Sequence, residues 1–183
     1  MKNTLIIHPK DESTSFLRQI YNTKKNVSVV SGNITKKDLL NRILEHDNII
    51  MMGHGSSEGL LAVNQFDTES PYIVDSSFTD VLTRKENAIY IWCNANEFVD
   101  KFGLKGFYTG MFISEVGEAY FCGLPGTKQV EVDESNFCFS NLVSQHINCD
   151  LENMYVKVRE RYGLVAEWNP IAKYNHNRIF FNS

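Results

Sequence analysis

Four short apolar runs punctuate the first hundred residues, and between them the hydrophobic period switches from that of a strand to that of a helix. The runs are Thr4-Leu5-Ile6-Ile7, Val27-Ser28-Val29-Val30, Asn48-Ile49-Ile50-Met51-Met52 and Ala88-Ile89-Tyr90-Ile91-Trp92. Each stops at polar or turn-forming residues: His8-Pro9, Ser31-Gly32, Gly53-His54-Gly55 and Cys93-Asn94. Between them, apolar side chains recur on one helical face at 16, 17, 20 and 21, then at Leu39, Leu40, Ile43 and Leu44, then at Phe78, Val81 and Leu82. Thr35-x-x-Asp38 resembles a capping box, and Asp75-Ser76-Ser77 offers side-chain oxygens to the free N–H groups of a first turn. Such alternation commits the chain to a parallel sheet with right-handed crossovers and helices on both faces. Strands covered on both sides explain why the runs are so continuously apolar. The expected class is α/β, a three-layer αβα sandwich with a mostly parallel central sheet.

The second half has weaker periodicity. Residues 107–114 read as a fifth strand weakened by Gly110, and 115–122 as a short helix before Gly123-Leu124-Pro125-Gly126. Residues 130–135 read as a loop or hairpin arm, 137–147 and 151–162 as helices, and Asn175-His176-Asn177 as a turn before a last strand at 178–181. Without a repeat, a linker or a low-complexity stretch, residues 1–183 read as a single domain.

A net charge of −4 argues against nucleic acid as the partner. The first apolar run holds only three strong hydrophobes, Leu5 to Ile7, and no run reaches the roughly 18 apolar residues of a membrane span. The expectation is a cytoplasmic protein with no membrane partner. The 4 cysteines (Cys93, Cys122, Cys138 and Cys149) show no C-x-x-C spacing, so no zinc or thioredoxin-like site is suggested.

Two strand ends carry chemistry. In parallel sheets functional groups gather at the carboxyl ends of strands, and His54 and Cys93 both stand there. A thiol is mostly protonated at neutral pH and needs a base to become a nucleophile; an imidazole can take that proton and return it to a leaving group. The attack creates an oxyanion that needs preorganised donors. The backbone N–H groups of Gly55 and Cys93 are the candidates. This chemistry requires no metal and no organic cofactor.

Gly53-His54-Gly55-Ser56 after one strand and Trp92-Cys93-Asn94-Ala95 after the next resemble the caspase-like (clan CD) cysteine peptidases, which include caspases, metacaspases, gingipains, separases and CHAT domains. In that group His-Gly closes the third core strand and the nucleophilic Cys the fourth. The Gly-His-Gly-Ser form is closer to the separase, metacaspase and CHAT versions than to the caspase one. The resemblance spans roughly residues 4 to 98. It implies a caspase-like topology, and a cysteine endopeptidase acting on a protein or peptide substrate through a thioester. His54 would be the base and acid, Cys93 the nucleophile. The two stand 39 residues apart, against about 50 in caspases. Another departure is Trp92, bulky where a small residue is usual.

Two other readings come from the same residues. With Trp92 blocking the thiol, the fold would serve as a catalytically inactive binding or scaffolding module. Alternatively, the amides of residues 53–59 would cradle a phosphate-bearing ligand in a flavodoxin-like domain. Glu115 and Glu118 follow the fifth strand and would offer an acidic pocket to a basic substrate side chain, or else negative charge to a helix start. Asp11 reads as part of an N-cap cluster reaching Ser15, with orientation of a site group as the alternative. His8, His146 and His176 read as packing or surface residues, and Phe102, Phe107, Tyr108 and Phe112 as core.

Overall fold

The first three apolar runs form β1 (Thr4–Ile7), β2 (Val27–Val30) and β3 (Asn48–Met52), and the fourth forms β7 (Asn87–Ile91). The computed structural model describes residues 3–63 and 70–183. A 3-10 helix at Ser15–Ile20 joins β1 to β2, and α1 (Lys36–Glu45) joins β2 to β3. Between β3 and β7 lie three short strands, β4 (Gly55–Ser56), β5 (Gly59–Leu61) and β6 (Tyr72–Val74), and then α2 (Thr79–Leu82). After β7 come α3 (Ala95–Phe102), β8 (Gly106–Thr109), α4 (Val116–Phe121), α5 (Gln129–His146), α6 (Leu151–Ala166), α7 (Pro170–His176) and β9 (Ile179–Asn182).

The main sheet runs β2-β1-β3-β7-β8-β9, parallel throughout except for β9, which pairs antiparallel with β8. Alternate side chains of each strand feed two cores. On one face Leu5, Ile7, Ile49, Met51, Tyr90 and Trp92 pack with Leu39 and Ile43 of α1, Val81 and Leu82 of α2 and Phe98 and Val99 of α3. On the other, Ile6, Ile50, Met52, Ile89, Ile91 and Phe107 meet Leu17 and Ile20, Phe139 and Val143 of α5, and Met154, Val158 and Tyr162 of α6. Helix layers therefore cover both sides of the sheet, the three-layer αβα arrangement expected. Its first five strands follow the 2-1-3-4-5 order that flavodoxin-like domains also show, so sheet order alone does not separate the two families.

The later elements differ from the sequence reading where polar residues are buried. Residues 130–135 are the start of α5, not a loop or hairpin arm. The inward positions of that turn and the next are Val132, Ser135, Asn136 and Phe139, a helical spacing disguised by two polar members. Ser135 bonds Tyr162 Oη at 2.7 Å, and Asn136 Nδ2 donates to Ser114 O at 2.9 Å, while Asn136 Oδ1 has no hydrogen-bond partner among the described residues. Asn175 and His176 lie inside α7 rather than in a turn; Asn169 caps that helix by accepting from Ala172 N–H, with Pro170 at its first position. The fifth strand stops at Thr109, just before Gly110.

Candidate active site

The register of β3 with β7 aligns Met52 with Ile91, and Gly53 N–H continues the ladder by donating to Ile91 O at 3.0 Å. Two positions past that last pair stand His54 and Cys93. Both line one narrow cleft at the carboxyl end of the sheet, together with residues that follow β1 and β8.

His54 meets a polar pair from the loop after β1. Ser13 Oγ lies 2.6 Å from His54 Nε2 and 2.5 Å from Asp11 Oδ1, and the same carboxylate oxygen is 3.5 Å from Nε2. Asp11 also accepts from Ser13 N–H at 2.9 Å, and these Ser13 bonds hold its carboxyl below the usual range. An ionised carboxylate is the stronger acceptor, so the single Ser13 hydroxyl proton goes to Asp11. The Ser13 oxygen then accepts from His54, which places the imidazole proton on Nε2 and leaves the Nδ1 lone pair free to act as base. Asp11 thus orients the site group and does not cap a helix: the 3-10 helix at Ser15–Ile20 begins at Thr14 without a side-chain cap, and Asp11 bonds Ser13 ahead of it. Sequence reasoning missed Ser13; its signal is the Asp-x-Ser spacing just after a strand that neighbours β3.

Cys93 is poised differently. Its thiol donates to Phe112 O at 3.4 Å rather than to His54. Burial pushes it up to about 11, the Glu118 carboxylate and Cys122 adding to the same direction. The loop carrying Phe112 is clamped from behind: Asn175, fully buried, accepts from Ile113 N–H and donates to Ile113 O, both at 2.8 Å. The Phe112 ring packs on Phe139, 4.6 Å between centroids. No sequence motif announces Phe112 or Asn175, because one acts through its backbone and the other through a contact 62 residues away.

Trp92 does not block the thiol. Side chains alternate along β7, so Trp92 turns to the face opposite Ile91 and Cys93 and is buried among Tyr90 and Phe98. Its indole N–H donates to Ser56 O at 3.0 Å, tying down the loop that carries His54. The two candidate oxyanion donors lack backbone partners. Cys93 N–H makes no hydrogen bond among the described residues. Leu61 N–H donates to His54 O, so His54–Leu61 and Ser56–Gly59 are the bonded pairs of the β4–β5 hairpin. Gly55, between them, turns its N–H away from β5.

Within residues 53–59, Gly53 N–H is spent on Ile91 O and Glu58 N–H on Ser56 Oγ, two separate partners. Glu118 uses one carboxylate oxygen to accept from Ser114 N–H, Ser114 Oγ and Glu115 N–H, and Glu115 is its partner at the α4 start. That is the helix-start role. Among the described residues, no group of three His, Cys, Asp or Glu is disposed to hold a metal ion, and no helix is long and apolar enough to cross a membrane. Set against known proteins, the chain matches no family model and no curated protein.

Proposed function

We propose that the chain is a cysteine peptidase-like hydrolase of caspase-like architecture, with Cys93 as nucleophile and His54 as base and acid. The observation that carries this reading is the convergence of an oriented imidazole and a thiol in one cleft at the ends of adjacent parallel strands. In the reaction, His54 Nδ1 takes the thiol proton as Cys93 Sγ bonds to the substrate carbonyl carbon. Gly55 and Cys93 N–H groups stabilise the oxyanion. Collapse breaks the C–N bond, and the proton passes from His54 to the leaving amine. Water, deprotonated by His54, then attacks the thioester, and the thiolate leaves and regains its proton. Asp11 and Ser13 act as positioning residues that hold the Nε2–H tautomer.

The Phe112 contact describes a resting thiol. Substrate binding in this reading turns the Cys93 side chain from the Phe112 carbonyl toward His54 while the clamped loop stays in place, a tightening of the kind that often separates apo from loaded sites.

A serine nucleophile is the second reading, because His54 bonds the Ser13 hydroxyl and not the thiol. In a Ser-His-Asp triad the carboxylate holds the imidazole nitrogen remote from the serine. Here Asp11 takes the serine proton itself, so Ser13 is oriented rather than activated. Digestion of a mixed peptide pool, read by mass spectrometry, decides between them. Cleavage lost in Cys93→Ala and His54→Ala but only reduced in Ser13→Ala supports the thiol. Cleavage surviving in Cys93→Ala and lost in Ser13→Ala makes the enzyme a serine hydrolase. No cleavage by the wild type would leave the inactive binding module.

A further inference from the structure

The carbonyl that a thiolate attacks must come to about 3–3.5 Å from sulfur. The side chain of the residue bearing that carbonyl branches one atom away, and so falls into whatever space adjoins the thiol. Beside Cys93 that space is a narrow, partly open cleft of about 20 Å³. It is walled by Phe16 and Leu17 from the segment after β1, Ile91 from β7 and Phe112 from the loop after β8. No Asp, Glu, Lys or Arg lines it. Its two hydroxyls are occupied: Thr14 Oγ1 with His8 Nε2 at 3.3 Å, and Ser114 Oγ with Glu118 Oε2 at 3.1 Å.

We propose that this cleft restricts the residue on the acyl side of the cut bond to glycine or alanine, with charged and long side chains excluded. The proposal rests on the peptidase reading above and adds its substrate class. A volume of about 20 Å³ accepts a single water-sized group, which a methyl matches and an isobutyl exceeds. A carboxylate or guanidinium exceeds that space as well, and no Asp, Glu, Lys or Arg lines the cleft to supply a counter-charge. Glu115 and Glu118 do not alter this, since Glu118 is committed to the α4 start and neither lines the cleft.

The test uses peptidyl acyloxymethyl ketones identical except for Gly, Ala, Leu, Asp or Arg next to the warhead, with adduct on Cys93 read by intact mass. Labelling at least about tenfold faster for Gly and Ala than for Leu, Asp and Arg is expected, the discrimination that one or more misfitting methylenes give. Phe16→Ala, which widens the cleft at a half-buried position, should raise the Leu-to-Ala labelling ratio. Ile91→Val gives the same direction by removing one methyl, should the larger truncation not fold. Asp, Arg or Leu reacting as fast as Ala in the wild type overturns the proposal and leaves the peptidase standing. No adduct from any probe, while iodoacetamide still modifies Cys93, overturns the peptidase reading and this inference with it.

Discussion

Gly55 and Trp92 are in contact so close that no side chain fits between them: a Cβ on Gly55 would lie 2.2 Å from Trp92 Cδ1 and 2.6 Å from Gly59 O. The residue after the imidazole is therefore a glycine because the indole beneath it needs the space. Gly55→Ala is expected to cost about 1–3 kcal/mol, the usual range for overpacking, since a buried ring and a backbone carbonyl must both move. Trp92→Phe keeps an aromatic ring but loses the bond to Ser56 O and leaves part of the buried indole volume empty, at about 2–4 kcal/mol. Chemical denaturation measures both. A Gly55→Ala protein as stable as wild type would show that the indole does not clamp the loop.

The Ser13 hydroxyl sets the tautomer of His54, and its loss should act on turnover rather than on affinity. Ser13→Ala and Asp11→Asn are expected to lower kcat by up to about 100-fold, the cost of a misplaced catalytic group, while KM changes little. A fall confined to KM would instead put this pair in substrate binding. Ser13→Thr retains the hydroxyl and should restore part of the rate.

The sheet and both ends of the proposed dyad were legible because apolar runs and their stop signals are local. His54 and Cys93 are each announced by the strand that precedes them. The face of Trp92 is legible too, since alternation along 88–92 sends it away from Cys93 whatever its bulk. What sequence could not give were contacts made by backbone or by buried polar side chains. Asn175 reads as a turn residue until Ile113 is seen across from it, and Ser135 and Asn136 break the apolar stripe of α5 because their partners come from other elements. Asp11 reads as a cap in sequence because its reach to His54 depends on β1 and β3 being neighbours.

Cys93 alkylation should report its buried state. With the thiol pushed up to about 11, the rate with iodoacetamide should keep rising steeply through pH 10 rather than reach half its maximum near 8.5, as an exposed cysteine does. The reference is the same protein with Cys122, Cys138 and Cys149 changed to Ser, so that only Cys93 reacts. A half-maximum near pH 8.5 would mean that the thiol is exposed and already free of the Phe112 carbonyl in solution.

His8 makes stability depend on pH in a window of its own. It sits at the end of β1, bonded to Tyr21 Oη at 3.0 Å and Thr14 Oγ1 at 3.3 Å, and burial, with Arg18 nearby, lowers it from 6.5 to about 4. The unfolded chain therefore binds the His8 proton below about 6.5 while the native state refuses it until about 4. The stabilisation is complete above pH 6.5 and is lost as pH falls toward 4, to a total on the order of 3 kcal/mol. Denaturant unfolding between pH 7.5 and 4.5 should show this slope, and His8→Gln, which cannot titrate, should flatten it. Asp11 also titrates toward acid, burial lowers His146 as it does His8, and both remain in the variant, so whatever slope persists in His8→Gln belongs to the carboxylates and His146. An unchanged slope would mean that protonated His8 is accommodated in the fold, and that the loop carrying Asp11, Ser13 and Thr14 opens to admit it.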